Sequence, residues 1–583
     1  MGDKMKSPEE LVSDGASIEV LHKAENDCTE TCFSRASQQK PCNFGLQGIC
    51  CRMCFMGPCR ITKTAPKGVC GADEHTIVAR NYLRAVAAGT AAHSDHARHL
   101  VLRLKKVAEK AGGGYEIRGI KALYEAANNY GVETEGRSHE EIAGVLADVF
   151  LDEFSKQEKT LQTLTLAPVV QQNIWKKHKI ESKGIDRMVV EGLHRSTMGV
   201  DHDYKSVLTH AFRTSLADGW GGSRIAAIVS DILFGTSSPV KGEANLGVLK
   251  EDTVNIVVHG HEPALSEMLA IALRYPEVSE YAKKAGAKGV TLAGICCTAN
   301  EILMRHGIPV AGSFMQQELA IITGAVEMMV VDVQACMPSL PGVAASYHTE
   351  VVSTSEIART LGAHQVEFDA DDAIRSAINL IKRAIDNYAK RDRSKMAIPD
   401  AKRTVIAGFS VDAIKYMLGG TFRASFRPLN DAIIQGRIRG VVGIVGCNNA
   451  KAKVDDYINH LTAGLVARGV LVLKTGCAAV ASAKTGMMRP EAALEKASQG
   501  LREVCETVGI PPVLHMGSCV DNARILEAAT EIVKEGGLGD SLAGLPAVGV
   551  APEWMSEKAV AIGCYFVASG VDVVLGQPFS ISG

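Results

Sequence analysis

The chain has 583 residues, of which 46% are hydrophobic and 22% charged, with a formal net charge of -2. That length suits roughly three or four domains, and so balanced a charge leaves no electrostatic footprint for nucleic acid or an anionic membrane. No apolar run reaches the ~18 residues of a membrane span, and the opening MGDKMKSPEE lacks an apolar signal core, so a cytoplasmic protein is expected.

Residues 1–40 are polar and are predicted to be loosely ordered or helical. Cys28 and Cys32 lie there in a C-x3-C pair, suited equally to surface or capping positions and to a metal role. The next stretch, PCNFGLQGICCRMCFMGPCRITKTAPKGVC, carries cysteines at 42, 50, 51, 54, 59 and 70. Cys51, Cys54, Cys59 and Cys70 read C-x2-C-x4-C-x10-C, which suits a cubane iron–sulfur cluster held by four converging thiolates. Structural zinc fits less well, because its ligands come as two short pairs and Cys50 and Cys51 are adjacent. A disulfide knot does not match a cytoplasmic chain. Cys42 and Cys50 make an incomplete pair. Its partners come from elsewhere in the chain, or from the same pair on a second subunit across a two-fold axis. Thiolate clusters oxidise readily, so an anaerobic setting is implied.

Residues 74–230 are predicted mostly helical. ARHLVLRLKKVAEK (97–110) has apolar residues at helical spacing with basic residues opposite, and 140–156 is similar. From about residue 250 short β-branched runs alternate with helical stretches: VNIVV, GVTLA, MMVVDV, TVIAG, VVGIV, VLVL, PVLHM, AVGV and VDVVL. Such alternation implies parallel α/β units. The polar stretch 390–402 is taken as a linker. The expected fold is multidomain α/β: an N-terminal helical domain with the cysteine segment (1–240), followed by two Rossmann-like domains (241–395 and 396–583). No repeat is evident, and no G-x-G-x-x-G follows a strand to suggest a dinucleotide site.

Six of these strands run into soft ligands. VNIVV leads to His261, GVTLA to Cys296 and Cys297, MMVVDV to Cys336, VVGIV to Cys447, VLVL to Cys477 and PVLHM to Cys519. Ligands of open α/β sheets bind beyond the carboxyl ends of strands. One such cysteine is ordinarily a small buried hydrophobe; six at strand ends predict a polynuclear metal site between the α/β domains. Cys505 and Cys564 read as structural.

The motifs CNFGLQGICCRMCFMGPCRI, HSDHARH, HGHEP, GICCTANE, GIVGCNN, TGC, HMGSCVDN and EKAVAIG together resemble the nickel–iron carbon monoxide dehydrogenases of anaerobes, over essentially the whole chain. The resemblance implies a homodimer of one helical and two Rossmann-like domains per subunit. It implies a [4Fe-4S] relay cluster at Cys51, Cys54, Cys59 and Cys70, and a bridging [4Fe-4S] cluster held by Cys42 and Cys50 of both subunits. It further implies an active cluster at His261, Cys297, Cys447, Cys477 and Cys519, with Cys519 as the nickel thiolate. Lys558 and His93 match residues that stabilise bound carboxylate and move protons, and Ile562 matches the apolar residue over the substrate. A ferredoxin-like electron carrier is the implied partner.

Two departures stand out. The family reads D-V-Q-C, whereas this chain has Ala335 after Gln334 and its thiol one residue on, at Cys336. A one-residue step past a strand turns a side chain by roughly half a turn. His93, His96 and His99 share a helical face that often continues to a fourth histidine, where this chain has Leu102. The expectation is therefore an iron–sulfur(–oxo) cluster like that of the related hybrid-cluster proteins, poor in CO oxidation and able to reduce hydroxylamine-like substrates. The alternatives are a nickel-dependent carbon monoxide dehydrogenase acting on CO and CO2, in which Cys336 serves as a ligand, and an electron carrier or redox sensor.

Overall fold

A computed structural model describes residues 6–40 and 42–579. The N-terminal MGDKM and Pro41, the first residue of the cysteine-rich segment, lie outside the described residues. Short helices at Pro8–Leu11, Gly15–Asn26 and Cys32–Gln38 lead into that segment, where β1 (Cys50–Cys51) and β2 (Cys59–Arg60) form a minimal antiparallel hairpin.

The helical layer is built on one long helix, Glu74–Ala108. Asp73 caps it by accepting the Thr76 N–H at 2.9 Å. Lys105 and Lys106 lie in its last turn, where they complement the helix dipole. At 1.5 Å per residue it spans about 50 Å. The amphipathic window at 97–110 is its second half, and Leu83, Val86, Leu100 and Leu104 form part of its fully buried stripe. The helix Glu557–Ala568, near the end of the chain, packs across it. The crossing occurs at Gly89, where a Cβ would lie 2.4 Å from the Glu557 carbonyl oxygen. Any side chain there would push the two helices apart.

The nine predicted strands are all present as β4 (Val254–Gly260), β5 (Val290–Ile295), β7 (Val326–Val331), β10 (Arg403–Ala407), β11 (Gly440–Ile444), β12 (Val470–Thr475), β13 (Val513–Gly517), β14 (Ala547–Ala551) and β15 (Asp572–Leu575). Four more escape the sequence pattern: β3 (Val240–Ala244), β6 (Val310–Gly312), β8 (Glu350–Ser353) and β9 (His364–Gln365). They are short or polar, and sheet neighbours rather than apolar runs hold them in place.

The sheet order is β15-β14-β11-β12-β13-β10-β3-β6-β5-β4-β7-β8-β9. The strands of the two expected Rossmann-like units share one sheet: β3 pairs antiparallel with β10 from Val240–Ala407 to Ala244–Arg403 and joins them into thirteen strands. Every other pairing in it is parallel, and β4 and β5 are almost fully buried, as covered parallel strands are. The linker at 390–402 is pinned rather than free. Arg391 is buried on Glu327 at 2.6 Å, and the Ala397 N–H donates to the Thr323 carbonyl at 2.8 Å. Among the described residues no helix is long and apolar enough to cross a membrane.

Candidate metal centre

All six strand-end ligands lie just beyond the carboxyl ends of parallel strands. His261 follows β4 directly, Cys297 follows β5, and Cys477 and Cys519 follow β12 and β13 by two residues each; Cys447 is three residues past β11 and Cys336 five past β7. Four of them also sit at helix starts. His261 precedes Pro263–Ala272, Cys297 opens Cys296–His306, Cys477 opens Gly476–Lys484 and Cys519 precedes Asn522–Glu535. Helix N-termini favour negative charge, so they favour thiolate over thiol.

The helix Cys296–His306 packs on β13 and on Gly476–Lys484, which brings the two halves of the sheet together. His261, Cys297 and Cys519 then converge, with their ligand atoms all within 4.8 Å of one another. All three are buried. The Cys519 N–H donates to Cys297 Sγ at 3.3 Å, and the Phe314 N–H donates to Cys477 Sγ at 3.3 Å. Gly476 has φ +59°, and a Cβ there would lie 2.9 Å from Cys519 Sγ, so only glycine lets this turn pass the thiol.

The electrostatics favour anionic sulfur at Cys519 alone among these cysteines whose shifts have a direction. A hydrogen bond from the Cys297 thiol and the nearby Lys558 ammonium hold the Cys519 thiol down to about 6 despite its burial. Cys297 is raised in turn, by sharing that bond and by burial. Burial and the neighbouring Cys519 push Cys447 up to about 12. Lys558 is buried against His261 Nε2; burial lowers its pKa, but the surrounding cysteines outweigh that and raise it.

His93, His96 and His99 lead outward from this point. The first two are 1% and 4% exposed, whereas the His99 side chain is 36% exposed. His96 and His99 line a cleft of about 650 Å³ with Asp95, Arg98, Asp186 and Gln334. Leu102, one turn further on, is exposed. Ile562 lines a separate apolar cavity of about 60 Å³ beneath β11 and β14.

Cys336, like Cys447 and Cys477, lies outside the converging triad. Its Sγ lies 3.4 Å from the Gln334 carbonyl and 3.7 Å from the His259 carbonyl, the geometry of a thiol donating to backbone oxygens. Burial and Asp332 raise its pKa well above the usual thiol value. Gln334 and Ala335 both have positive φ, +67° and +58°, a conformation that costs non-glycine residues energy and clusters at functional sites. The turn is held by Gln317, which accepts the Met337 N–H at 2.7 Å and donates to the Ala335 carbonyl at 3.1 Å.

Sequence reasoning missed two acids. Asp332 accepts the His261 N–H at 2.7 Å and so aims the imidazole-bearing turn. Asp218 receives His93 Nδ1 at 2.9 Å and the Ser223 hydroxyl at 2.6 Å. It lies in a π-helical turn, Ala217–Gly222, of the kind often found at functional sites. The glycine-rich DGWGG inside a helical pattern was its only signal.

The N-terminal segment forms a second site. Cys51, Cys54, Cys59 and Cys70 all line one small cavity together with Gly57, Gly68 and Arg80. Cys42 lies outside it, exposed at the start of the helix Asn43–Gln47, and Cys50 lies on β1. Phe55, Met56, Leu46 and Val69 are exposed around this segment.

Comparison with known proteins decides the family. The Prismane/CO dehydrogenase family model matches residues 49–583. The chain belongs to the Prismane/CO dehydrogenase family. It is 50% identical to "Carbon monoxide dehydrogenase 1" of Methanosarcina mazei over 581 residues, covering 99% of this chain and 91% of that one. It is 41% identical to the carbon monoxide dehydrogenase of Rhodospirillum rubrum over 582 residues, covering 97% and 90%. Among solved structures, a nickel-free carbon monoxide dehydrogenase from Thermococcus sp. AM4 superposes with a TM-score of 0.97 at 48% identity, covering 100% of this chain and 92% of that one. The chain is thus an oxidoreductase built on the carbon monoxide dehydrogenase scaffold.

Buried thiols at helix N-termini, one imidazole and the buried, unpartnered Nε2 atoms of His93 and His96 suit an iron–sulfur-based centre.

Proposed function

We propose that this family member carries an iron–sulfur(–oxo) centre of the hybrid type at His261, Cys297, Cys447, Cys477 and Cys519, and that it reduces hydroxylamine-like N–O substrates while oxidising CO poorly. The observation that carries this reading is Ala335. The position after Gln334 offers no thiol, and the Cys336 sulfur, one residue on, lies 3.4 and 3.7 Å from two backbone carbonyls. A centre short of one thiolate would take oxygen donors in its place.

When bound, such a cluster supplies electrons and an open coordination position. The reaction is NH2OH + 2 H+ + 2 e- → NH3 + H2O. Asp218 fixes His93 with its proton on Nδ1, which leaves Nε2 to pass protons arriving from the His96–His99 cleft. Lys558 stabilises negative charge that builds on the substrate oxygen.

The cavity lined by Cys51, Cys54, Cys59 and Cys70 fits a [4Fe-4S] relay cluster. Cys42 and Cys50 suit a bridging [4Fe-4S] cluster in a homodimer, consistent with the apolar surface at Leu46, Phe55 and Val69. A ferredoxin-like carrier would feed this wire.

The intact triad and the identity to proteins named carbon monoxide dehydrogenase favour a second reading, nickel-dependent CO oxidation (CO + H2O → CO2 + 2 H+ + 2 e-). Anaerobic assays with a viologen dye separate the two. Hydroxylamine consumption well above the CO rate supports the first reading, and rapid CO oxidation without hydroxylamine reduction refutes it.

A further inference from the structure

Behind the metal centre lies a closed ring of buried charged groups. Ser518 Oγ is 2.6 Å from Glu301 Oε1 and 3.0 Å from Asp521 Oδ2. Glu301 pairs with Arg305 at 2.6 Å, and Arg305 reaches Asp231 at 3.3 Å. Asp231 also receives both terminal nitrogens of Arg524, at 2.6 and 2.9 Å, and Arg524 Nε donates back to Asp521 at 2.6 Å. Asp521 closes the loop by accepting the Ser518 N–H at 2.7 Å. Glu301, Ser518, Asp521 and Arg524 are 1%, 1%, 1% and 3% exposed.

The ring joins three parts of the chain. Glu301 and Arg305 lie on the helix that Cys296 and Cys297 open, Ser518 and Asp521 flank Cys519, and Asp231 belongs to the helix Ser223–Phe234 of the helical layer. Its two arginines come from opposite halves of the fused sheet and share one carboxylate. Charges so deeply buried are costly to hold, and removing one partner leaves the others uncompensated. In metal sites, groups behind the ligands orient them and tune affinity.

We propose that Asp231 is a positioning residue for the metal centre: by clamping Arg305 and Arg524 together it sets the separation of Cys297 and Cys519, the two ligands drawn from opposite halves of the sheet. The proposal rests on the reading of those cysteines as ligands. Neither the carboxylate nor the arginines are among the proposed ligands. Their effect passes through the Glu301–Ser518 contact on one side and the Asp521–Ser518 contact on the other, one residue from Cys519.

The test uses two variants of the full-length protein, Asp231→Asn and Ser518→Ala, with Cys519→Ser as control. Each is purified anaerobically, assayed for iron at the centre and at the N-terminal cluster by their separate spectroscopic signals, then stripped of metal and treated with iodoacetamide. Asp231→Asn is expected to keep the N-terminal cluster, while its centre binds iron about tenfold more weakly or worse and Cys519 in the stripped protein is alkylated severalfold faster. Ser518→Ala should shift both readouts in the same direction by less. A merely structural role would lower the melting temperature without moving the alkylation rate or singling out the centre. Full centre iron and an unchanged alkylation rate in folded Asp231→Asn overturn the proposal, and if that variant does not fold, the same result for Ser518→Ala does so. If Cys519→Ser itself keeps all centre iron, the ligand reading fails, whatever the ring does.

Discussion

His93 Nδ1 lies 2.9 Å from each of the two carboxylate oxygens of Asp218. This places the imidazole proton on Nδ1 and leaves the buried Nε2 without a partner. The arrangement of a fixed tautomer with one free ring nitrogen is what a proton-transferring histidine requires. Asp218→Asn keeps the shape but lets the ring take the other tautomer. Turnover of the substrate that the protein uses should fall by about 10- to 100-fold, with centre iron unchanged. Wild-type turnover in this variant would remove His93 from the proton path.

Cys42 and Cys50 should link two subunits. Serine at both positions is expected to remove the bridging cluster's iron and to weaken dimerisation in analytical ultracentrifugation, with Cys51, Cys54, Cys59 and Cys70 still loaded. Unchanged iron and an unchanged dimer would contradict the assignment.

The scaffold should lose stability on mild acidification. His210 is buried, its Nε2 3.0 Å from the Met188 carbonyl, and burial holds its pKa down to about 4 against an ordinary 6.5. Between those values the unfolded chain binds more protons than the folded one, so stability rises with pH across the window. It is fully present above about 6.5 and is lost as pH falls toward 4, at a cost on the order of 3 kcal/mol for this one group. Denaturant titrations at pH 7.5 and pH 5 check this, and in His210→Gln the difference between the two should shrink. An equal difference in the variant would show that other groups carry the acid sensitivity.

The proposed role of Ala335 can be tested by moving the thiol one residue back in the turn after β7. Ala335→Cys with Cys336→Ile places a thiol directly after Gln334 and an apolar side chain where the Cys336 sulfur now packs. Nickel content should rise from near zero toward about one per chain, and CO oxidation should appear. A nickel-free double variant would shift the cause from position 335 to other residues lining the pocket.

The placement of the strand-end cysteines and His261 was legible because parallel α/β folds deliver whatever follows a strand to one edge of the sheet. VLVL before Cys477 and PVLHM before Cys519 are fully buried strands in the structure, as the apolar runs imply. The fusion of the two sheets was not legible. It depends on β3, whose VKGEA has no apolar pattern and exists because β10 pairs with it. Asp218 and Asp231 were equally hidden, since a lone acid in a helical stretch reads as solvent-exposed until tertiary contacts bury it against His93 or Arg524. Ala335 lay between the two cases. Sequence showed alanine after Gln334 and cysteine one residue on; the structure shows the Cys336 sulfur beside two backbone carbonyls.

The central claim is that one absent thiolate makes this an iron centre without nickel. Anomalous diffraction from anaerobically grown crystals, recorded at the iron and nickel absorption edges, tests it most directly. The account predicts iron peaks among His261, Cys297, Cys447, Cys477 and Cys519, and no nickel peak beside Cys519. A nickel peak at full occupancy bound to Cys519 would contradict it and make the chain a nickel-dependent carbon monoxide dehydrogenase.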